Sequence, residues 1–100
     1  MGILNRLFGI PDKAELKKKL ENGAILLDVR TIEEFRSGSV KGSVNIPISD
    51  LPSGMKKLNK DKSIVAVCES GARSAQAVRF LKQQGYDAYN GGGWNSYKQR

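Results

Sequence analysis

The sequence predicts an α/β protein built on a central parallel sheet with helices on both faces. Three observations carry that prediction. Short apolar runs alternate with helix-patterned segments along the chain, the order that strand–helix–strand units produce. Two of the runs, Ala24–Val29 and Ile64–Val67, are apolar almost throughout, as strands buried on both faces are. Cap and turn residues punctuate the segments at helix and strand lengths. The 100 residues suffice for one small domain. A single domain over 1–100 is expected, with 1–11 as a flexible or edge segment.

Asp12 and Glu15 make a capping-box pattern that opens a helix over Ala14–Leu20, and Asn22-Gly23 ends it. Ala24–Val29 follows as the first strand. Thr31 and Glu34 make a second box, opening a short helix over Glu33–Arg36 that ends near Gly38. Ser43–Ile46 is a short strand stopped by Pro47. A helix is expected from Leu51 to Leu58, interrupted by Pro52 and Gly54. Ile64–Val67 is the next strand. The stretch from Cys68 to Ser74 is a loop leading into a helix that runs to near Gln84, with Gly85 as the residue past its end. Asp87–Tyr89 is the last short strand, and Gly91-Gly92-Gly93 is expected to turn the chain before Trp94. The sequence holds no internal repeat and no low-complexity tract.

At 39% hydrophobic residues the chain can build a core, and at 27% charged it should be soluble. No stretch is long and apolar enough to cross a bilayer. The start, Met1–Phe8, lacks the apolar region and cleavage site of a secretory signal. Arg6 stands where a myristoylation signal wants Ser or Thr. The cytoplasm is the expected location. A single cysteine excludes an internal disulfide and a cysteine-rich metal site. The lack of histidine removes Cys-His and Ser-His catalytic pairs and the usual zinc constellations. No metal and no cofactor is expected. The net charge of +7 favours anionic partners in a general way. Lys17-Lys18-Lys19 and Lys56-Lys57 carry much of the excess without interleaved aromatics. They read as solvated helix faces, so neither nucleic acid nor a membrane is an expected partner.

Cys68 is the residue on which function turns. It stands where the apolar run Ile64–Val67 meets a Gly-containing loop, ahead of the helical pattern Ala75–Lys82. A strand, a short turn and a helix start together form a ring of free backbone N–H groups. A sulfur in that ring sees several donors and the positive end of a helix dipole, which favours a thiolate or a second sulfur carried on the first. A lone cysteine ending an apolar strand is also a common small buried hydrophobe. Gly71, Arg73 and the helix that follows point toward the nucleophile. With no imidazole to activate it, the field must come from backbone N–H groups and a cation. In open parallel sheets ligands bind at the carboxyl ends of strands. Cys68 ends one such strand, and Asp28-Val29-Arg30 ends another.

Leu27-Asp28-Val29-Arg30, Glu33-Glu34-Phe35, Gly38, Gly42, Asn45-Ile46-Pro47, Cys68–Ser74, Gly91-Gly92 and Trp94, in that order, resemble a single-domain rhodanese. The resemblance runs from about Asp12 to Trp94. It implies a rhodanese-like α/β fold and sulfurtransferase chemistry. Cys68 would take a sulfane sulfur from a donor (thiosulfate, polysulfide or a protein persulfide), hold it as a persulfide, and pass it to cyanide, a thiol or a sulfur-relay protein. Glu69, Ser70, Gly71, Ala72, Arg73 and Ser74 would form the substrate-binding cradle, with their N–H groups aimed at the outer sulfur. Asp28 and Arg30 would brace the loop as supporting residues.

The residue chemistry agrees. A persulfide anion needs many modest donors rather than one base, and Gly71 lets the backbone curl close to sulfur. Arg73 can face an anionic donor, or pair with Glu33 or Glu34 as a structural salt bridge. Trp94 closes one side of the pocket or belongs to the core. Two departures stand out. Ser39 occupies a position where many relatives carry histidine, read here as structural. Glu69 sets a carboxylate beside Cys68 that opposes a thiolate and an anionic donor such as thiosulfate.

Two other readings compete. A phosphatase or arsenate reductase would use a Cys and an Arg around an oxyanion, but the compact span from Cys68 to Arg73 suits a single sulfur better. A persulfide carrier or regulatory module would use the same loop for one protein partner, with little turnover on small molecules.

Overall fold

The computed structural model describes residues 8–98. Expectations for residues 1–7, including the targeting signals and most of the 1–11 segment, lie outside that range. Asp12 starts helix α1 (Lys13–Glu21) by accepting from the Ala14 N–H at 3.1 Å. This helix buries Leu16 and Leu20 and leaves Lys17 and Lys18 in solvent. Gly23, at φ +102°, turns the chain into β1 (Ile25–Asp28). The Thr31 box is complete. Its hydroxyl accepts from the Glu34 N–H and the Glu34 carboxylate accepts from the Thr31 N–H, opening α2 (Ile32–Ser37).

Strand β2 (Val44–Asn45) is shorter than expected. The single helix expected over Leu51–Leu58 is instead three pieces: a 3₁₀ turn (Ile48–Asp50), one α turn, α3 (Leu51–Gly54), and a second 3₁₀ turn (Met55–Lys57). Pro52 lies in the first turn of α3. A Cβ at Gly54 would stand 2.8 Å from the Ile46 side chain, so close packing rather than helix propensity shapes this segment.

Strand β3 (Ile64–Cys68) is buried at every residue, and α4 (Ala72–Gln83) follows the loop. The four strands form one all-parallel sheet in the order β2-β1-β3-β4. Alternate side chains of β3 divide the core in two. Ile64, Ala66 and Cys68 join Leu27, Val29, Leu51, Ala77, Val78 and Leu81 on the α4 face. Val65 and Val67 join Leu16, Leu20, Leu26, Trp94 and Tyr97 on the α1 face. The sheet is thus covered on both sides, as the apolar runs require.

The glycine triplet departs from expectation. It belongs to β4 (Ala88–Gly93) rather than to a turn. Pairing with β3 passes from Ala66↔Asn90 to Val67↔Gly92, so Gly91 is the extra residue of a bulge. A Cβ at Gly91 would lie 2.7 Å from Val65 Cγ1, 2.9 Å from Val67 Cγ1 and 3.1 Å from the Ala66 carbonyl. Only a residue without a side chain lets β4 lie this close to β3. A 3₁₀ turn (Trp94–Tyr97) ends the described chain, with the Tyr97 hydroxyl donating to the Gly91 carbonyl at 2.8 Å. Among the described residues no helix is long and apolar enough to cross a membrane.

The bulge gives a stability prediction. Gly91→Ala forces a methyl group into occupied space, which is expected to destabilise by about 1–3 kcal/mol and to lower Tm by several degrees. An unchanged Tm in thermal unfolding would show that β4 does not press on β3 as described.

Candidate active site

Strand β3 carries the Cys68 side chain to the end of the sheet, and Gly71 turns the chain back over it. Gly71 is buried at φ +107°, a conformation open to glycine and strained for other residues. That turn aims the Gly71 N–H at Cys68 Sγ, at 3.1 Å. The first turn of α4 adds the Ser74 N–H at 3.4 Å, and the Ser74 hydroxyl oxygen lies 3.4 Å from the same sulfur. Cys68 is 1% exposed. Burial pushes its pKa up, but the Ser74, Gly71 and Ser70 N–H groups, with the Ser74 hydroxyl when it turns to a thiolate, outweigh burial and leave it below the ordinary thiol value. Glu69, Ser70 and Ala72 are exposed around this ring, whereas Gly71 and Ser74 are buried inside it.

The two arginines are not free cations in a pocket. Arg73 is bidentate to Glu34, Nη1 to Oε1 at 2.7 Å and Nη2 to Oε2 at 3.0 Å. Its guanidinium holds the Glu34 carboxyl down to about 2, with help from the Thr31 N–H. The salt bridge read in the sequence as the alternative for Arg73 is therefore the observed state. Arg30 is 2% exposed. Its Nε donates to Asp28 Oδ1 at 2.9 Å, and its Nη2 donates to Asp28 Oδ2 and to the Gly38 carbonyl, each at 2.7 Å. The Trp94 ring stacks on the Arg30 guanidinium, 4.2 Å from centroid to Cζ.

From that position Arg30 reaches the loop. Its Nη1 lies 3.6 Å from Glu69 Oε1, the same oxygen that accepts from Trp94 Nε1 at 3.1 Å. The Glu69 carboxylate, exposed though it is, leans on Arg30 and Trp94. Trp94 is buried on the α1 face, so it belongs to the core and also steers the residue next to Cys68.

The contacts of two neighbouring asparagines escape a reading of the sequence. Asn45 Nδ2 donates to the Asp28 and Arg30 carbonyls at 2.9 and 3.0 Å, fixing the end of β1. Asn90 ties the loop to β4: its Nδ2 donates to the Gly71 carbonyl at 3.0 Å, and its Oδ1 accepts from the Ser74 hydroxyl at 2.7 Å. The one trace in the sequence is a polar residue placed directly before three glycines. Among the described residues no cluster of three or more His, Cys, Asp or Glu side chains could hold a metal ion.

Cys68 Sγ thus lies buried at the carboxyl end of a parallel strand, faced by the backbone N–H groups of Gly71 and Ser74. The rhodanese-like domain family model matches residues 12–100, and the chain belongs to that family. YtwF of Bacillus subtilis, provisionally named a sulfurtransferase, is 39% identical over 79 residues, 77% of each chain. A sulfurtransferase of Allochromatium vinosum is 36% identical over 77 residues, covering 75% of this chain and 72% of its own. The crystal structure of a rhodanese-related protein from Thermoplasma volcanium superposes with a TM-score of 0.77 at 38% identity, covering 88% of both chains.

The ring of donors predicts the pH dependence of Cys68 reactivity. A lowered pKa means that thiolate persists above a midpoint below the free-thiol value of about 8.5 and is lost as pH falls through it. Alkylation rate against pH should show that midpoint. A midpoint above the free-thiol value would mark an inert apolar cysteine.

Proposed function

We propose that this protein is a sulfurtransferase that carries a sulfane sulfur as a persulfide on Cys68. The observation that carries this reading is the convergence of the Gly71 and Ser74 N–H groups on one buried sulfur in a rhodanese-like fold. With thiosulfate as donor, the Cys68 thiolate attacks the outer, sulfane sulfur. The new bond joins Sγ to that sulfur, the sulfur–sulfur bond of thiosulfate breaks, and sulfite leaves with the electron pair. Cyanide or a thiolate then attacks the outer sulfur of the persulfide. The Cys68 sulfur leaves with its electron pair, so thiolate is restored. Both displacements balance without a redox partner.

In this reading the N–H groups of Glu69 to Ser74 cradle the outer sulfur, whose charge sits where the donors converge. Asp28 and Arg30 hold the loop from the neighbouring strand end. The buried Cys68 favours slim donors: thiosulfate, a polysulfide chain or the persulfide of a partner protein. Arg73 is bound to Glu34, which supports sulfur transfer over oxyanion chemistry, since a phosphatase loop needs its arginine on the substrate. A single free thiol suits the reducing cytoplasm.

Intact mass tests the proposal. Incubation with thiosulfate or polysulfide is expected to add one sulfur atom to the chain, and cyanide to remove it as thiocyanate. Loading without steady turnover would place the protein among carriers that serve one partner. A Cys68→Ser chain that still gains the mass, or still makes thiocyanate, would overturn the assignment.

The rim charge sets a second expectation. A carboxylate a few ångströms from an approaching dianion costs on the order of 1 kcal/mol at a partly solvated site, about fivefold in rate. Glu69→Gln should raise kcat/KM for thiosulfate, and added salt should shrink the gap. A neutral organic trisulfide should respond less. Unchanged thiosulfate kinetics at low salt would mean that Arg30 already neutralises Glu69.

A further inference from the structure

Behind the sulfur lies a closed chain of buried polar groups that the transfer steps above do not use. Asn90 is 2% exposed and makes four hydrogen bonds. Its Nδ2 donates to the Phe8 carbonyl at 2.8 Å and the Gly71 carbonyl at 3.0 Å. Its Oδ1 accepts from the Gly92 N–H at 3.0 Å. A flipped amide would set oxygen against two carbonyls and nitrogen against an N–H, so the network decides the orientation. Asn90 Oδ1 is therefore an acceptor, and the Ser74 hydroxyl 2.7 Å away must be its donor. A serine hydroxyl has one proton. Bound to Asn90, Ser74 Oγ offers Cys68 Sγ, at 3.4 Å, lone pairs only.

We propose that Asn90 is a positioning residue that competes with Cys68 for the one hydroxyl proton of Ser74, and so sets how readily the sulfur ionises. While Cys68 is a thiol, S–H donates to Ser74 Oγ and Ser74 donates to Asn90, so each group is satisfied. A bare thiolate can use Ser74 only if the hydroxyl turns away from Asn90 and gives up its 2.7 Å bond. Asn90 Oδ1 still holds the Gly92 N–H, so the turn leaves no orphan. Once a second sulfur is attached, the inner sulfur is neutral and the hydroxyl returns to Asn90. The relay disfavours the bare thiolate relative to both the thiol and the loaded persulfide. It keeps the thiolate basic, and therefore nucleophilic, against the pull of the backbone donors.

Among the described residues, the charged groups around the loop and Asn90 are Asp28 and Arg30 at the end of β1, Glu34 on α2, Glu69 in the loop, Arg73 on α4, Arg79 and Lys82 of α4 beside Asn90, and Lys98 over Trp94. None of them bonds to Asn90 or Ser74 in the contacts above, so substitution of Asn90 leaves their pairing in place.

The test is a double-mutant cycle read by the pH profile of Cys68 alkylation. Asn90→Ala frees the Ser74 hydroxyl for the thiolate, so the midpoint should fall. A drop approaching one unit raises the thiolate-to-thiol ratio about tenfold at a given pH. In a Ser74→Ala background, Asn90→Ala should move the midpoint no further. A merely structural Asn90 predicts the opposite sign, since a loosened loop loses its N–H donors and the midpoint rises. A rise, no change, or an equal shift without Ser74 would overturn the proposal. Should Asn90→Ala fail to fold, the wild-type chain decides. The Asn90 side-chain carbonyl ¹³C resonance should titrate with the Cys68 midpoint and cease to do so in Ser74→Ala; a flat resonance in the wild type overturns the relay. The inference takes Cys68 as the reactive sulfur, but alkylation needs no sulfane donor, so its failure and that of the sulfurtransferase reading are told apart.

Discussion

The buried pair of Asp28 and Arg30 holds together the end of the sheet where Cys68 lies. Arg30 is the largest fully buried side chain among the described residues, and burial of an unpaired guanidinium would be prohibitive. Asp28 takes two of its donors in a forked contact, the Gly38 and Glu34 carbonyls take others, and Trp94 covers its face. Breaking such a pair on one side typically costs about 3–5 kcal/mol, because a charge is left alone in the core. The constraint spreads outward. Arg30 fixes the turn at Gly38, orients Trp94 and draws the Glu69 carboxylate back across the rim. The residue beside Cys68 is thus placed by the end of the neighbouring strand.

The chain has no histidine to set beside Cys68, and the arginines at this end of the sheet are paired with carboxylates. Three acidic side chains, Asp28, Glu34 and Glu69, lie against the two arginines at this end of the sheet. The backbone groups aimed at the sulfur are peptide N–H dipoles, fixed in direction by the Gly71 turn and the start of α4. Fixed dipoles in a buried site need no reorganisation as charge arrives.

The other constraint is the close approach of β4 to β3. The bulge at Gly91 shifts the register after Asn90. It sets Asn90 under the loop, where it bonds to Gly71 and Ser74, and brings Gly93 beside Cys68. A Cβ at Gly93 would stand 2.9 Å from the Glu69 carbonyl. The triplet therefore lets β4 pack close against β3 and the loop rather than making a bend.

Much of the fold follows from local sequence alone. The apolar runs set the strands at Ile25–Asp28 and Ile64–Cys68, and the Thr31–Glu34 box sets α2, because burial period and capping act over a few residues. The N–H groups that face Cys68 follow from local sequence for the same reason: Cys68, Gly71 and Ser74 lie within seven residues. Local patterns could not decide the segment from Ile48 to Lys57, where Gly54 packs under Ile46, or the glycine triplet, which reads as a turn until β3 is beside it. Nor could they choose between the two roles open to Arg73, or reveal Asn45 and Asn90. Those outcomes depend on which groups meet across 15 to 39 positions of sequence. A buried donor takes whichever acceptor the packed sheet brings within reach, and only the assembled tertiary structure supplies it.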